Sequence, residues 1–318
     1  MRRLAGFSLL ILTLLLSPIL TARAQQTHDS LTVNGVERTY TLYVPPTYDG
    51  AEPWPLVVGL HGRGGSGAGF AAQLDLNPIA RDNDFITVYP DGINREWNYA
   101  EGTPEWIGPE TDDVAFLAAL VDALAEDFAI DRARVYVAGF SNGGFMTQRL
   151  ACEVPDQYAA FAVISAGFYP GLDQWCATSA PTPILFMHGT ADVVVPWTGT
   201  LQGQFVLSMP VEDTVAYWAG HDGCSPDEVT HETLDSVEES GEALTSVIYF
   251  HFGGCDDDTE VVLYAVEGGG HNVPGTSAMT PGGVLGNITH DVHAGEAIWT
   301  FFEPHALETP ASGSAIRP

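Results

Sequence analysis

The sequence predicts an α/β protein, a mostly parallel central sheet with helices on both faces. Three observations carry that prediction. Short, almost wholly apolar runs recur at residues 56–60, 85–89, 134–138, 161–165, 182–187 and 261–266, and such runs suit strands buried on both faces. Between them lie stretches with apolar residues at helical spacing, as at 114–128 and 145–152. Strand and helix alternate without an internal repeat, the order expected of a sheet sandwiched by helices.

The ends of the chain point to export. Met1-Arg2-Arg3 is a basic start, residues 9–16 are apolar, and Ala22-Arg23-Ala24 is a small-x-small cleavage site. The alternative, a membrane anchor, is weakened by the shortness of the apolar run and by Ser17-Pro18. The expected organisation is a signal peptide at 1–24, a single catalytic domain at 25–307, and a Pro/Ser/Gly-rich flexible tail at 308–318. The mature chain is expected to be secreted, extracellular or periplasmic. Four cysteines in an exported chain point to two disulfides. Three pairings are possible; Cys152 with Cys176 and Cys224 with Cys255 are favoured, because each closes a local loop next to a proposed active-site element.

Acidic residues number 41 against 11 basic ones, and every basic residue is Arg. A net charge of −30 argues against nucleic acid and anionic membranes as partners. The excess suits either a saline habitat or plain colloidal solubility after secretion. Oligomeric state is left open.

In chain order, residues 31–33, Asn34-Gly35 and residues 38–44 read as a β-hairpin with an Asn-Gly turn. The run at 56–60 empties into His61-Gly62-Arg63-Gly64-Gly65-Ser66-Gly67. This loop lacks the Walker pattern and its Lys. It reads instead as an oxyanion loop, whose glycines let backbone N–H groups approach a substrate oxygen. The Arg63 and Asn142 N–H groups are the two candidate donors, and His61 is expected to be structural, bonded to backbone. The loop at 93–111 carries Trp97 and Trp106, and Trp197 follows Asp192. All three are candidate substrate-pocket walls; the alternative for the first two is lids packed over the core. Asp112-Asp113 reads as capping of the next helix.

The run at 134–138 then meets Gly139-Phe140-Ser141-Asn142-Gly143, and apolar residues at helical spacing follow. Strand, tight turn and helix are the context of a nucleophile elbow, which holds a serine hydroxyl proud of the sheet in a strained backbone. Gly139 and Gly143 would remove collisions with the helix. Two further strands empty into loops bearing Asp192 and His271, the candidate acid and base. His290 and His293 are rival bases but fall near a closing helix at 291–302. Asp256-Asp257-Asp258 lacks calcium-loop spacing and reads as a solvated loop; no metal or cofactor is expected.

The order Ser141, Asp192, His271, each after a strand, resembles that of the α/β-hydrolase fold. More narrowly, the chain resembles the secreted polyhydroxybutyrate-depolymerase/feruloyl-esterase family of carbohydrate esterases. The matching residues are His61-Gly62-x-Gly-Gly-Ser66, Trp97-Asn98, Asp112-Asp113-Val114-x-Phe116, Gly139-x-Ser141-Asn142-Gly143-Gly144, His188-Gly189-Thr190-x-Asp192-x-x-Val195-Pro196, Gly268-Gly269-Gly270-His271 and Phe301-Phe302. The likeness spans roughly residues 32–307. It implies a serine carboxylic ester hydrolase acting on feruloyl or acetyl groups of plant polysaccharide such as xylan. Polyhydroxybutyrate or another polyester is the alternative substrate, and a silent binding protein on the same scaffold is the alternative class. Two departures bear on substrate identity: Arg63 stands where the polymer depolymerases tend to carry Cys, and Asn272-Val273 replaces a Trp before the following Pro-Gly.

Overall fold

A computed structural model describes residues 25–100, 111–177, 179–203, 205–236, 245–277 and 285–308. The expected signal peptide and nearly all of the expected tail lie outside these residues. The strands are β1 (Gln25–Val33), β2 (Val36–Val44), β3 (Trp54–Leu60), β4 (Ile86–Pro90), β5 (Ile130–Phe140), β6 (Ala160–Ile164), β7 (Ile184–Gly189), β8 (Thr200–Gln202), β9 (Phe205–Ser208), β10 (Val229–Thr233), β11 (Ser246–Phe252) and β12 (Val261–Glu267). The helices are α1 (Gly67–Leu74), α2 (Leu76–Asp82), α3 (Asp113–Asp127), α4 (Asn142–Glu153), α5 (Asp173–Cys176), α6 (Val211–His221) and α7 (Ala294–Phe302).

Ten strands form one sheet in the order β1-β2-β4-β3-β5-β6-β7-β12-β11-β10. The middle, from β4 to β12, is parallel. Antiparallel strands close both margins. The mostly parallel sheet is therefore as predicted, and the β1–β2 hairpin turns at Asn34-Gly35 with both residues at positive φ. The antiparallel pair β10–β11 was not foreseen: β10 is exposed along its whole length and carries no apolar alternation.

Side-chain alternation sets the layers. Leu56, Val58, Val135 and Val137 face a core shared with α3, α4 and α6, whereas Val57, Tyr136 and Ala138 face one shared with α1, α2 and α7. Because both faces are covered, successive residues of one strand are buried on opposite sides, and the strand reads as continuously apolar. On the second face Tyr136 stacks on Phe302 with ring centroids 4.8 Å apart, and Phe85 stacks on Trp299 at 4.0 Å.

The path of the chain places the site. From β3 it crosses to β4 on one side, then returns past β3 to β5 on the other. Between β3 and β5 the connections depart in opposite directions, which opens a crevice at the carboxyl ends of those strands. The loop after β3 is residues 61–67, and the turn after β5 holds Ser141.

Two disulfides join Cys152 to Cys176 and Cys224 to Cys255, the favoured pairing. Between them His221, the last residue of α6, brings Nδ1 to 2.6 Å from Asp222 Oδ1 and Nε2 to 2.9 Å from Ser179 Oγ and 3.1 Å from the Cys176 carbonyl. The hydrogen bond to Asp222 raises the His221 pKa above its usual value. Burial raises that of Asp222, outweighing the pull of the imidazolium. A group raised on folding stabilises fully below its unfolded pKa and loses that contribution as pH passes its folded one. Both shifts therefore act in one direction. The His221 contribution is expected to be present at pH 6 and lost by pH 9, so His221→Gln should lower the urea midpoint more at pH 6 than at pH 9; an equal difference at the two pH values would remove the pair as a source of pH dependence.

Candidate active site

Elbow geometry begins with two glycines. A Cβ on Gly139 would lie 2.2 Å from the Gly143 carbonyl oxygen, and one on Gly143 would lie 2.2 Å from the Leu60 carbonyl oxygen. Any side chain there would drive α4 away from β5 or β3, so the Gly-x-Ser-x-Gly spacing is a packing requirement. Ser141 itself sits at φ 54°, ψ −117°, a region that costs a non-glycine residue about 1–3 kcal/mol. Its N–H donates to the Ile164 carbonyl at 2.8 Å, which ties the turn to the neighbouring strand. The hydroxyl is thereby held half-exposed at the sheet edge.

His271 reaches it from the far loop. His271 Nε2 lies 2.9 Å from Ser141 Oγ, and Nδ1 lies 2.7 Å from Asp192 Oδ2. The loop is fixed by the His271 N–H to the Leu285 carbonyl at 2.7 Å. Asn272 braces the base, donating its side-chain amide to the carbonyls of Leu285, Gly286 and Asn287 at 3.0, 3.3 and 3.1 Å. Val273, directly before Pro274-Gly275 where a Trp was expected, is fully buried. Of the rival bases, His293 caps α7 through Nδ1 and His290 is exposed.

Asp192 is buried, with Oδ1 accepting the N–H groups of Val194 and Val195 at 2.8 Å each. That leaves Oδ2 for His271. His188, four residues earlier, brings Nε2 to 3.5 Å from the same oxygen while donating to the Val195 carbonyl at 2.8 Å. Burial lowers the His188 pKa, which favours a neutral ring packed beside the carboxylate and held there by its bond to Val195. The sequence reading missed this role. Its signal was the fixed spacing of a second histidine before the aspartate.

The loop after β3 packs directly on the serine, since a Cβ at Gly62 would lie 3.3 Å from Ser141 Cβ. His61 Nδ1–H donates to the Gly62 carbonyl at 2.8 Å, and Nε2 accepts the Gly92 N–H at 3.0 Å. These roles require the neutral ring, and burial lowers its pKa accordingly; His61 is structural, as expected. The N–H groups of Arg63 and Asn142 meet no acceptor among the described residues. Both belong to the pair of segments that meet at Ser141, and the Asn142 N–H opens α4, where the helix dipole favours negative charge.

Trp97 is not a pocket wall. Its side chain is fully buried, and its indole N–H donates to the His61 carbonyl at 2.9 Å. Its backbone N–H donates to Asn142 Oδ1 at 2.7 Å, and Asn142 Nδ2 donates back to the Trp97 carbonyl at 3.2 Å. The indole braces the two candidate oxyanion segments from beneath, a task suited to a large ring with one N–H to place. Trp106 lies outside the described residues. Trp197 is half-buried, edge-on to His188 at 6.0 Å. Tyr99, the third aromatic of the loop at 93–111 and not among the candidate pocket walls, is stacked on Phe145 of α4 at 4.8 Å and edge-on to Tyr169 at 5.8 Å.

Asp112 caps α3 as expected, accepting the Ala115 N–H. Asp113 does more than cap. It is fully buried, 2.8 Å from the equally buried Arg38, and accepts the Asn98 N–H at 2.7 Å. The Arg38 guanidinium lies 3.8 Å from the centre of the Phe116 ring. This pair ties β2 to the segment holding Trp97. Removing one member of a buried pair strands the other charge, at a cost of about 3–5 kcal/mol. Asp113→Ala is expected to lose that much stability in urea, whereas the double change Arg38→Met with Asp113→Leu should lose less; a single variant as stable as the parent would contradict the pairing.

Among the described residues no group of three or more His, Cys, Asp or Glu is placed to hold a metal ion, and no helix is long and apolar enough to cross a membrane. What the arrangement offers is acyl transfer: a hydroxyl with a base at hydrogen-bonding distance, a carboxylate that fixes the base, and unpaired N–H groups beside them.

Comparison with known proteins agrees with that geometry. Residues 38–196 match the family described as Esterase PHB depolymerase. The chain is similar to feruloyl esterase C of Emericella nidulans, 29% identical over 277 residues that cover 85% of this chain and 84% of that protein. It is likewise similar to a putative esterase, NocK, of Nocardia uniformis, 31% identical over 281 residues covering 87% and 75%. Among solved structures, an acetyl xylan esterase from Aspergillus awamori superimposes with a TM-score of 0.56 at 17% identity, covering 87% of this chain and 99% of that one; that likeness is one of fold.

Proposed function

Since this chain belongs to the Esterase PHB depolymerase family, we propose that it is a secreted serine esterase releasing feruloyl or acetyl groups from plant cell-wall polysaccharide. The fold is that of the α/β-hydrolases, and the chain is a carboxylic ester hydrolase. The observation that carries the mechanism is the unbroken hydrogen-bonded series from Ser141 through His271 to Asp192.

A serine hydroxyl is a weak nucleophile near neutral pH and needs a base within reach. His271 Nε2 takes the proton as Ser141 Oγ attacks the ester carbonyl, then delivers it to the leaving alcohol. Asp192 holds the Nδ1–H tautomer and stabilises the imidazolium. The Arg63 and Asn142 N–H groups receive the oxyanion, each worth on the order of 10²–10³ in rate. Water, activated by the same histidine, releases the acid.

The acyl preference rests on the relatives named feruloyl esterase, on the aromatic group of Tyr99, Phe145 and Tyr169, and on Trp197 beside the triad loop. Polyester hydrolysis is the second reading, favoured by the family description. Comparing kcat/KM for methyl ferulate, acetylated xylan, short p-nitrophenyl esters and hydroxybutyrate oligomers decides between them. Preference for the oligomers would replace the first reading with the second. Absence of turnover together with failure of an organophosphate to label Ser141 would leave only a binding role.

A further inference from the structure

We propose that the guanidinium groups of Arg63 and Arg95 bind a carboxylate carried by the substrate one unit away from the scissile ester, so that the enzyme favours acidic esters over their neutral counterparts. The position of the ester rests on the function proposed above; the cationic pair does not. Arginine is the scarce charge in this protein, 11 basic residues standing against 41 acidic ones. Elsewhere each described arginine is matched: Arg38, Arg81, Arg132, Arg134 and Arg149 lie 2.8, 2.7, 2.5, 2.7 and 2.8 Å from a carboxylate. Arg63 reaches only Glu96, at 3.4 Å, with its own side chain 53% exposed. Arg95 has no carboxylate partner among the described residues. In so acidic a chain, two under-neutralised guanidiniums on adjoining loops need a reason.

Their placement supplies one. Arg95 follows Asn94, and both sit at positive φ, 66° and 53°, strain of a kind that gathers at functional sites. The strain is held by one local bond and two to the oxyanion loop. The Gly64 N–H donates to the Arg95 carbonyl at 2.8 Å, the Arg95 N–H donates to the Gly92 carbonyl at 3.0 Å, and Arg95 Nε–H donates to the Gly65 carbonyl at 3.0 Å. With Nε committed, the two terminal nitrogens are left at the surface above the loop. Asp91, the nearby acid of the preceding turn, does not quench them. Its Oδ1 accepts the Gly67 N–H at 2.8 Å and its Oδ2 accepts the Thr39 hydroxyl at 2.7 Å. The loop of Arg63 touches Ser141 through Gly62, and the Arg95 segment is bonded to that loop at Gly64 and Gly65, so both arginines stand on segments that adjoin the nucleophile.

A planar guanidinium pairs with a carboxylate through two parallel hydrogen bonds. Glu96, 3.4 Å from Arg63 Nε, is the contact a substrate carboxylate would displace. The shared chemistry has two sources: a uronic acid within an acylated polysaccharide, or the free end of a hydroxyacid oligomer. Two substrate pairs separate them, an acetylated uronic acid with its primary amide and a hydroxybutyrate dimer with its primary amide. For at least one pair, kcat/KM at low ionic strength should be about tenfold or more higher for the acid, shrinking with added salt. That preference would run against the overall charge of −30, which by itself repels anions. Arg95→Gln should cut the acid-to-amide ratio about tenfold, and Arg95→Lys should restore part of it. Acid and amide turned over equally by the parent enzyme, or equally impaired in Arg95→Gln, would overturn the proposal. Calorimetry on the Ser141→Ala protein gives a second reading free of turnover. Tighter binding of acid than amide there, with no ester hydrolysed by the parent, would retire the esterase function while keeping the carboxylate site.

Discussion

Ser141→Ala is expected to lower kcat on p-nitrophenyl acetate by a factor on the order of 10⁶ while leaving the urea midpoint unchanged within experimental scatter. The change removes one oxygen and nothing that shapes the elbow. Alanine keeps the Cβ that Ser141 already carries at φ 54°, and the backbone N–H still meets the Ile164 carbonyl. The two glycines that admit α4 are untouched. What disappears is the atom 2.9 Å from His271 Nε2, and among the described residues no other hydroxyl bonds that nitrogen. Any surviving rate comes from the N–H groups of residues 63 and 142 and from substrate binding alone. A purified variant within tenfold of the parent would show that the attacking oxygen comes from elsewhere, a bound water being the first alternative.

Much of this arrangement was legible because the sequence signals are local. Gly139-x-Ser141-x-Gly143 sits between a β-branched run and a helical one, and each glycine answers a contact of about 2 Å that no side chain survives. The strands of the parallel sheet are apolar runs because both faces are buried. His61 was correctly read as structural from its place at the mouth of the glycine loop. The failures share a different cause. For Trp97 pocket wall and packed lid stayed open alternatives, because an aromatic in a long loop gives no sign of which way it faces; Asn142, which accepts its backbone N–H, is 45 residues away. Asp113 looked like a cap because acidic residues commonly open helices; its true partner, Arg38, arrives from β2. Such pairings across the sheet leave no periodic trace in either segment. The margin strand β10 escaped notice because an exposed strand needs no apolar pattern.

Asp192→Asn is expected to lower kcat about 10⁴-fold with little change in KM and little loss of stability, and the surrounding hydrogen bonds explain why the effect should be one of proton placement. Oδ1 of Asp192 accepts two N–H groups, from Val194 and Val195. In the variant only the amide oxygen can take that position, so the NH₂ must face His271 Nδ1 across the 2.7 Å now spanned by the carboxylate. The Nδ1–H tautomer would then oppose donor to donor, and the ring must carry its proton on Nε2 instead. A protonated Nε2 offers no lone pair to the Ser141 hydroxyl. His188 Nε2, 3.5 Å from the same corner, already donates to the Val195 carbonyl and so offers the amide no acceptor there. Asp192→Ala tests something else, because it strands the Val194 and Val195 N–H groups and should cost about 1–3 kcal/mol of stability as well. The asparagine variant keeps those bonds and isolates the tautomer. If it turned over p-nitrophenyl acetate within tenfold of the parent, the carboxylate would be a packing element, and the orientation of His271 would have to come from its loop contacts to Leu285 alone.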